Sequence, residues 1–420
     1  MRTSYWRDVF WQVTGNTIAQ IIGVLGIPLL TRLYTPEDFA LQTLFIQIVT
    51  LTAILISLRY EALIQLPKSD KEAREMHLLI LVLGAFLAVL ATLFLWRFGT
   101  EIGGLLGNPL IASWLPLAPL SALMISWSVS SQNILQRQGN FKKSGISEIL
   151  AKAAYVGSGT FSSFFGAGQV GLLLTTASGA LGKLLFLERG SIFAIREIKI
   201  RHFVGRVAIA FRRTFRNYGR LSASLVASGL LTTYSTAAPI IAISHLYGQE
   251  ALGHLSLVTM TLYLPAGLIG AAIGQVYYQR AAAAWSNNEE IYNLWKTTSK
   301  KLALLGSPLY IMAAVLAPVG YPLIFGSDWE KAGEIAILMS LPACISLISS
   351  PTDRTCLIIG AWWYPITWHA FRAVTASLLV FAAKAYDWPF DTFVIGLALQ
   401  LTACYLVDLL AEFYFSKMKK

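Results

Sequence analysis

The chain has 420 residues, 55% of them hydrophobic and only 13% charged, and a mean hydropathy of +0.59. A soluble domain carries about a quarter charged residues, so this chain cannot cover a water-facing surface and lipid must be part of its solvent. The net charge of +11 does not mark a nucleic-acid binder, because no basic module interleaved with aromatics accompanies it.

The first apolar run, 11–31, is followed by Arg32, Leu33 and Tyr34 with no small-residue cleavage site, and reads as a retained span. Runs of roughly 20 apolar residues, the length that crosses a bilayer as a helix, then recur to the end. The strict alternation of barrel strands is absent. Twelve spans are expected. Six centre near Gly23, Val49, Ala85, Leu123, Val156 and Ala177, and six near Leu231, Gly267, Ala314, Cys344, Ser377 and Thr402. Basic residues concentrate in alternate loops: Arg2 and Arg7; Lys68, Lys71 and Arg74; Arg137, Lys142 and Lys143; a dense group between 189 and 220; Arg280, Lys296, Lys300 and Lys301; and Lys417, Lys419 and Lys420. The intervening loops hold Arg32, Arg97, Lys331 and Lys384. This alternation places both termini in the cytoplasm.

The predicted organisation is an N-lobe over 1–187, a basic cytoplasmic linker with an interfacial helix over 188–217, and a C-lobe over 218–420. The linker's arginines are expected near anionic lipid. The halves echo each other. Leu33-Tyr34 after span one matches Leu246-Tyr247 after span seven, and Leu106-Gly107 before span four matches Phe325-Gly326 before span ten. Six spans per half is an even number. The predicted fold class is therefore all-α integral membrane, with two six-helix lobes related by a pseudo-two-fold along the membrane normal.

Few motifs carry chemistry. Gly166 to Gly171 matches GxGxxG but lies between apolar spans without a preceding strand, so it reads as a turn with close helix packing. Gly270 and Gly274 form a GxxxG for close helix approach. Cys344, Cys356 and Cys404 have neither zinc nor redox spacing and read as buried hydrophobes. Trp6, Trp11, Trp96, Trp114, Trp388 and Tyr414 lie near span ends, as interface anchors do. No catalytic residue, metal site or cofactor is expected.

Charges in or near the spans are more informative, because a charge in hydrocarbon costs at least about 2.5 kcal/mol and usually faces a cavity or a partner. Arg32, Arg59 with Glu61, Lys152 and Arg372 are candidates for a cationic lumen suited to a phosphate-bearing substrate. Lys183 and Arg354 read as snorkelling side chains. Glu148 and Lys152, four apart, are placed for intrahelical pairing. Asn16 and Gln20 in span one, and Ser228 and Thr232 in the hydroxyl-rich stretch before Pro239, either line a polar path or tie helices together.

Three segments carry a resemblance. They are Gly26-Ile27-Pro28-Leu29-Leu30-Thr31-Arg32-Leu33-Tyr34-Thr35-Pro36-Glu37-Asp38-Phe39, Ser57-Leu58-Arg59-Tyr60-Glu61-Ala62-Leu63-Ile64-Gln65-Leu66-Pro67, and Leu135-Gln136-Arg137-Gln138-Gly139-Asn140-Phe141-Lys142. Together they resemble the Wzx-type O-antigen flippases of the multidrug/oligosaccharidyl-lipid/polysaccharide exporter superfamily. Beyond the first third the resemblance is mainly one of topology. It implies two six-helix lobes working by alternating access in the bacterial inner membrane. The substrate it implies is an undecaprenyl-diphosphate-linked oligosaccharide unit, moved from inner to outer leaflet for surface polysaccharide such as lipopolysaccharide. Polysaccharide polymerase and glycosyltransferases are the implied partners. Ala40 stands where family members often carry Gly. The rival expectations are a drug or cation exporter of the same superfamily, and a membrane-embedded polymerase or ligase. Exporters tend to carry a carboxylate deep in span one or seven, where this chain has Asn16, Gln20 and hydroxyls. A polymerase or ligase needs a sizeable outer loop, and the outer loops here are short.

Overall fold

The structure, a computed structural model, describes residues 2–166, 168–188 and 200–418. Every α or 3-10 element among them is helical. In chain order the helices are α1 (Arg2–Thr31), α2 (Pro36–Ser57), α3 (Asp70–Arg97), α4 (Gly99–Leu105), α5 (Ala118–Arg137), α6 (Phe141–Phe164), α7 (Gly168–Leu187), α8 (Ile200–Leu246), α9 (Gly248–Ser286), α10 (Tyr292–Phe325), α11 (Glu330–Ser349), α12 (Thr355–Ile358), α13 (Tyr364–Ala385) and α14 (Phe390–Ser416). All twelve predicted span centres fall in α1–α3, α5–α11, α13 and α14. Among the described residues, ten helices are long and apolar enough to cross a membrane by themselves. The remaining two long ones are α5, rich in serine, and α6, which carries Lys142, Lys143, Glu148 and Lys152. Their polar side chains are largely turned into the protein: Ser121, Ser126, Ser128, Ser130, Ser131, Ser144 and Ser147 are all buried. Meanwhile Phe164, Val315, Val319, Leu323 and Phe381 are each more than 70% exposed. Apolar exposure on this scale belongs against lipid, and the chain is a multi-pass membrane protein.

Local chemistry sets the helix ends. Thr35 and Asp38 form a reciprocal cap at the start of α2: Thr35 N donates to Asp38 Oδ2 at 3.0 Å, and Asp38 N donates to Thr35 Oγ1 at 3.4 Å. Pro36 occupies the first helical position, where its missing N–H costs nothing. This accounts physically for the Thr35-Pro36-Glu37-Asp38 segment. Ser69 caps α3 by accepting from Glu72 N at 3.2 Å.

The chain groups into two units, one of Met1–Tyr34 with Leu41–Thr233, the other of Thr35–Ala40 with Tyr234–Lys420. In the first, α6 packs on α1 and α7, and α5 packs on α3 and α7. In the second, α11 packs on α9, α10 and α14, and α13 packs on α14. The third-to-fourth, fourth-to-sixth and fifth-to-sixth span packings recur in both. The sequence echoes take matching roles. Tyr34 donates its hydroxyl to Gly159 O at 2.7 Å near the end of α6, and Tyr247 donates to Trp388 O at 2.8 Å just beyond α13. Gly107 and Gly326 hold φ of +71° and +113° in the turns before α5 and α11, a region that favours glycine. Residues 189–199 of the predicted linker lie outside the described residues. From Ile200 the chain is helix, continuous through Pro239 to Leu246.

Inside the second unit, Gly253 of α9 abuts the backbone of Pro36, and a Cβ built there would overlap Pro36 O. Nearby, Phe39 meets Trp329 edge-on with ring centroids 5.1 Å apart. Gly253→Ala is expected to destabilise the protein by about 2 kcal/mol, since backbone cannot yield as a side chain can. A thermal-unfolding midpoint equal to wild type in detergent would contradict this. Gly270 and Gly274 admit the turn after α11, with Ser350 Oγ and Pro351 O at 2.9 and 3.3 Å from modest built Cβ atoms.

Candidate functional site

In the first unit, α2 ends at Ser57 and the chain turns back through Leu58 and Arg59, whose φ angles are +47° and +58°. Two consecutive non-glycine residues in this region cost about 1–3 kcal/mol each and persist only where their surroundings over-determine them. Here they do. Arg59 N donates to Ser57 Oγ at 3.1 Å, and Ser222 donates to Leu58 O at 2.6 Å. Asn133 Nδ2 donates to Glu61 O at 2.8 Å. Arg137 straps the rest. It donates to Ile64 O at 3.3 Å, Gln65 O at 3.1 Å, Pro67 O at 2.7 Å and Asp70 Oδ1 at 2.8 Å. Tyr60, Leu63, Ile64, Ala73, Met76 and Ile80 form the apolar core beneath. The hook presents Arg59 with its side chain 40% exposed, its Nη1 3.7 Å from Glu61 Oε1. Arg59 Nε and Glu61 Oε2 are buried without a hydrogen-bond partner. The predicted Arg59–Glu61 pair is thus brought together at a loose distance, with unused hydrogen-bonding capacity on both sides.

The same unit holds an ion pair that differs from the sequence expectation. Lys183 is buried, and its Nζ lies 2.7 Å from Glu148 Oε1, so it ties α7 to α6 and does not snorkel. Gln132 Nε2 donates to the same carboxylate oxygen and lies equally near Ser144 Oγ, both at 2.9 Å. Glu148 therefore reaches across to Lys183, and not along its own helix to Lys152. The stem of Lys152 lies against Gly23 of α1, and its Nζ sits 5.1 Å from the Tyr155 ring centroid. Tyr155 OH in turn accepts from the buried Gln42 at 3.0 Å. The interior of this unit thus holds one paired ammonium, Lys183 on Glu148, and a second, Lys152, seated against an aromatic ring.

The remaining N-terminal candidates are scattered. Arg32 is exposed in the turn after α1. Asn16 is exposed and accepts from Gln12 at 3.2 Å, and Gln20 is half-buried. Thr232 donates to Ser228 O at 2.8 Å, the back-bonding that lets a hydroxyl sit in an apolar helix.

In the second unit, the Arg372 guanidinium carbon lies 4.8 Å from the Trp368 ring centroid and 5.9 Å from that of Tyr405, while its Nε is buried without a hydrogen-bond partner. Cation–π contact compensates only part of such a burial. Sequence reading missed Asp408 and Glu412, both buried on α14. Tyr364 donates to Asp408 Oδ1 at 2.8 Å; Thr352 donates to Glu412 Oε2, which Trp295 Nε1 approaches at 3.4 Å. Among the described residues no Lys, Arg or His forms an ion pair with either acid. Two acids four apart in an apolar run were the signal that would have found them. Burial pushes the Cys356 thiol, in the turn region nearby, up to about 12, which keeps it protonated and inert at neutral pH. No group of three or more potential metal ligands occurs among the described residues.

Among the described residues these features are charged and hydrogen-bonding groups held within apolar helical units. A family described as polysaccharide biosynthesis protein matches residues 29–334. The succinoglycan biosynthesis transport protein ExoT of Rhizobium meliloti (strain 1021) is 20% identical over 373 residues, covering 88% of this chain and 72% of that protein. Among solved structures, the lipid II flippase MurJ in an inward closed conformation aligns with a TM-score of 0.70 at 14% identity, covering 98% of this chain and 88% of that one. An inward-facing multidrug resistance MATE family transporter of the MOP superfamily aligns with a TM-score of 0.65 at 17% identity, covering 95% and 93%. At these identities the solved structures establish the fold.

Proposed function

The chain belongs to the family of polysaccharide biosynthesis proteins, and from that premise we propose that it is a lipid-linked oligosaccharide flippase. Its cargo is an undecaprenyl-diphosphate-linked repeat unit, moved from the inner to the outer leaflet of a bacterial inner membrane by alternating access, without covalent chemistry. Both termini are cytoplasmic in this reading. Glycosyltransferases supply the substrate and a polymerase consumes it. The observation that carries the reading is the Arg59 hook, a guanidinium with spare donors held on a strained turn by three neighbouring side chains. Strain kept by so many bonds marks functional positions, and a guanidinium fits a diphosphate in bidentate fashion. Arg59 and Arg32 contact the diphosphate or govern gating, and Glu61 serves ion coupling or holds Arg59. Lys152 and Arg372 add positive potential. Asn16, Gln20, Ser228 and Thr232 serve the sugar path. The names of the succinoglycan transport protein and the lipid II flippase support a lipid-linked sugar over a drug.

Deleting the gene is expected to leave lipid-linked repeat units on the inner leaflet. Complementation with Arg59→Ala or Arg372→Ala, at normal protein level, is expected to restore surface glycan about tenfold less well than wild type, the scale of one charge-assisted hydrogen bond. Full restoration by both variants removes these residues from the site. Absence of accumulation after deletion removes the lipid-linked substrate and leaves the exporter reading.

A further inference from the structure

The first described turns of α8 divide into distinct faces. Ala210 and Thr214 are buried. Arg213 Nη1 donates to Glu75 Oε2 at 3.0 Å and Asn217 Nδ2 donates to Glu72 Oε1 at 3.2 Å, so this stretch is pinned to α3 by polar bonds. Phe211 and Phe215 point outward, 46% and 62% exposed, stacked with centroids 5.9 Å apart at 17°. Beside them Arg212, Arg216 and Arg220 are exposed at four-residue spacing and, among the described residues, form no ion pair. In water much of the apolar surface of both rings would stay hydrated at a cost. Beside an arginine stripe it has the composition of a helix face lying at the lipid boundary, with rings in the acyl edge and guanidiniums at the headgroups. The stretch also opens the apolar window Ala210–Leu246, where hydrocarbon gives way to the polar layer.

We propose that Arg212, Arg216 and Arg220 form a binding surface for the phosphates of anionic phospholipid in the adjoining leaflet, with Phe211 and Phe215 seated among its acyl chains. A rise of 1.5 Å per residue spreads the three guanidiniums over about 12 Å, enough to reach more than one phosphate. Each planar fork matches a phosphate in bidentate fashion. The pinning of Arg213 and Asn217 to α3 fixes the orientation, so the stripe is presented without further ordering of the helix. This surface stands independently of the flippase reading, since it concerns the bilayer and not the cargo.

The test uses the full-length protein in detergent, with native mass spectrometry during titration by dioleoyl phosphatidylglycerol or dioleoyl phosphatidylcholine. Wild type is expected to retain phosphatidylglycerol at concentrations where phosphatidylcholine is lost, and less so as salt is raised, because exposed charges are screened. The triple variant R212Q/R216Q/R220Q is expected to bind phosphatidylglycerol about ten- to a hundredfold more weakly, since each basic residue near an anionic surface is worth severalfold. Lys384→Gln, which removes an exposed basic residue at the end of α13 outside the stripe, is expected to stay within about twofold of wild type. Equal retention of both lipids by wild type, insensitivity to salt, or wild-type binding by the triple variant each overturns the proposal. So does displacement of phosphatidylglycerol by equimolar inorganic pyrophosphate, which would assign the stripe to a soluble diphosphate. The wild-type lipid and salt comparisons decide the question even if the triple variant fails to fold.

Discussion

Replacing Arg137 with Met is expected to release the turn between α2 and α3 and, on the proposed function, to abolish transport at near-normal protein level. Arg137 is 15% exposed at its side chain and donates to Ile64 O, Gln65 O and Pro67 O as well as to Asp70. Hydrogen bonds from a charged donor are worth about 1.5–3 kcal/mol each and are not additive, and three carbonyls would lose their partner together. A local cost of about 3–4 kcal/mol follows. That approaches the strain held in the left-handed Leu58–Arg59 pair, so the hook should relax and Arg59 should lose its orientation. Asp70 is 68% exposed, so Asp70→Asn should cost less than about 1 kcal/mol. Hydrogen exchange over 58–67 and surface glycan display check this. Unchanged protection there in Arg137→Met would show that the strap does not hold the hook.

Breaking the Glu148–Lys183 pair from one side is expected to be as damaging. Glu148→Gln leaves a buried ammonium without its counter-charge, which typically costs about 3–5 kcal/mol. The partial exposure of Glu148, 29% at the side chain, places the expected value near 3 kcal/mol. Lys183→Met leaves Glu148 bonded to Gln132 and should cost less. The double variant should recover most of the loss, because both charges leave together. Thermal unfolding of the four proteins in one detergent gives the cycle. A double variant as unstable as the sum of the two singles would show that the pair is not coupled.

Much of the architecture was legible in composition. Apolar runs of spanning length exist because a backbone in hydrocarbon must satisfy its own hydrogen bonds, and only helices and closed barrels do so. Hence all twelve span centres land in long helices. The tyrosines at 34 and 247 were readable too, since a repeat is visible as a repeat, whereas the Thr35–Asp38 cap was identified only from the structure. The candidate residues were legible only as types. Sequence marked Arg59, Glu61, Lys152 and Arg372 because charge is scarce, and scarcity needs no coordinates to notice.

Partnership was decided by tertiary structure. Helical spacing made Lys152 the natural neighbour of Glu148, yet Lys183 from α7 takes that place. The reason is that two helices in contact bring ammonium and carboxylate closer than one turn of a single helix does. Likewise nothing local shows that Arg137 reaches back about seventy residues to close the turn bearing Arg59, or that Thr352, Tyr364 and Trp295 converge on the acids of α14. The sequence by itself determined the solvent, the number of spans and the rarity of charge, because these follow from length and hydropathy. Which charges meet, and which are left to face a ligand or the bilayer, was decided only when packing set distances that a linear chain does not contain.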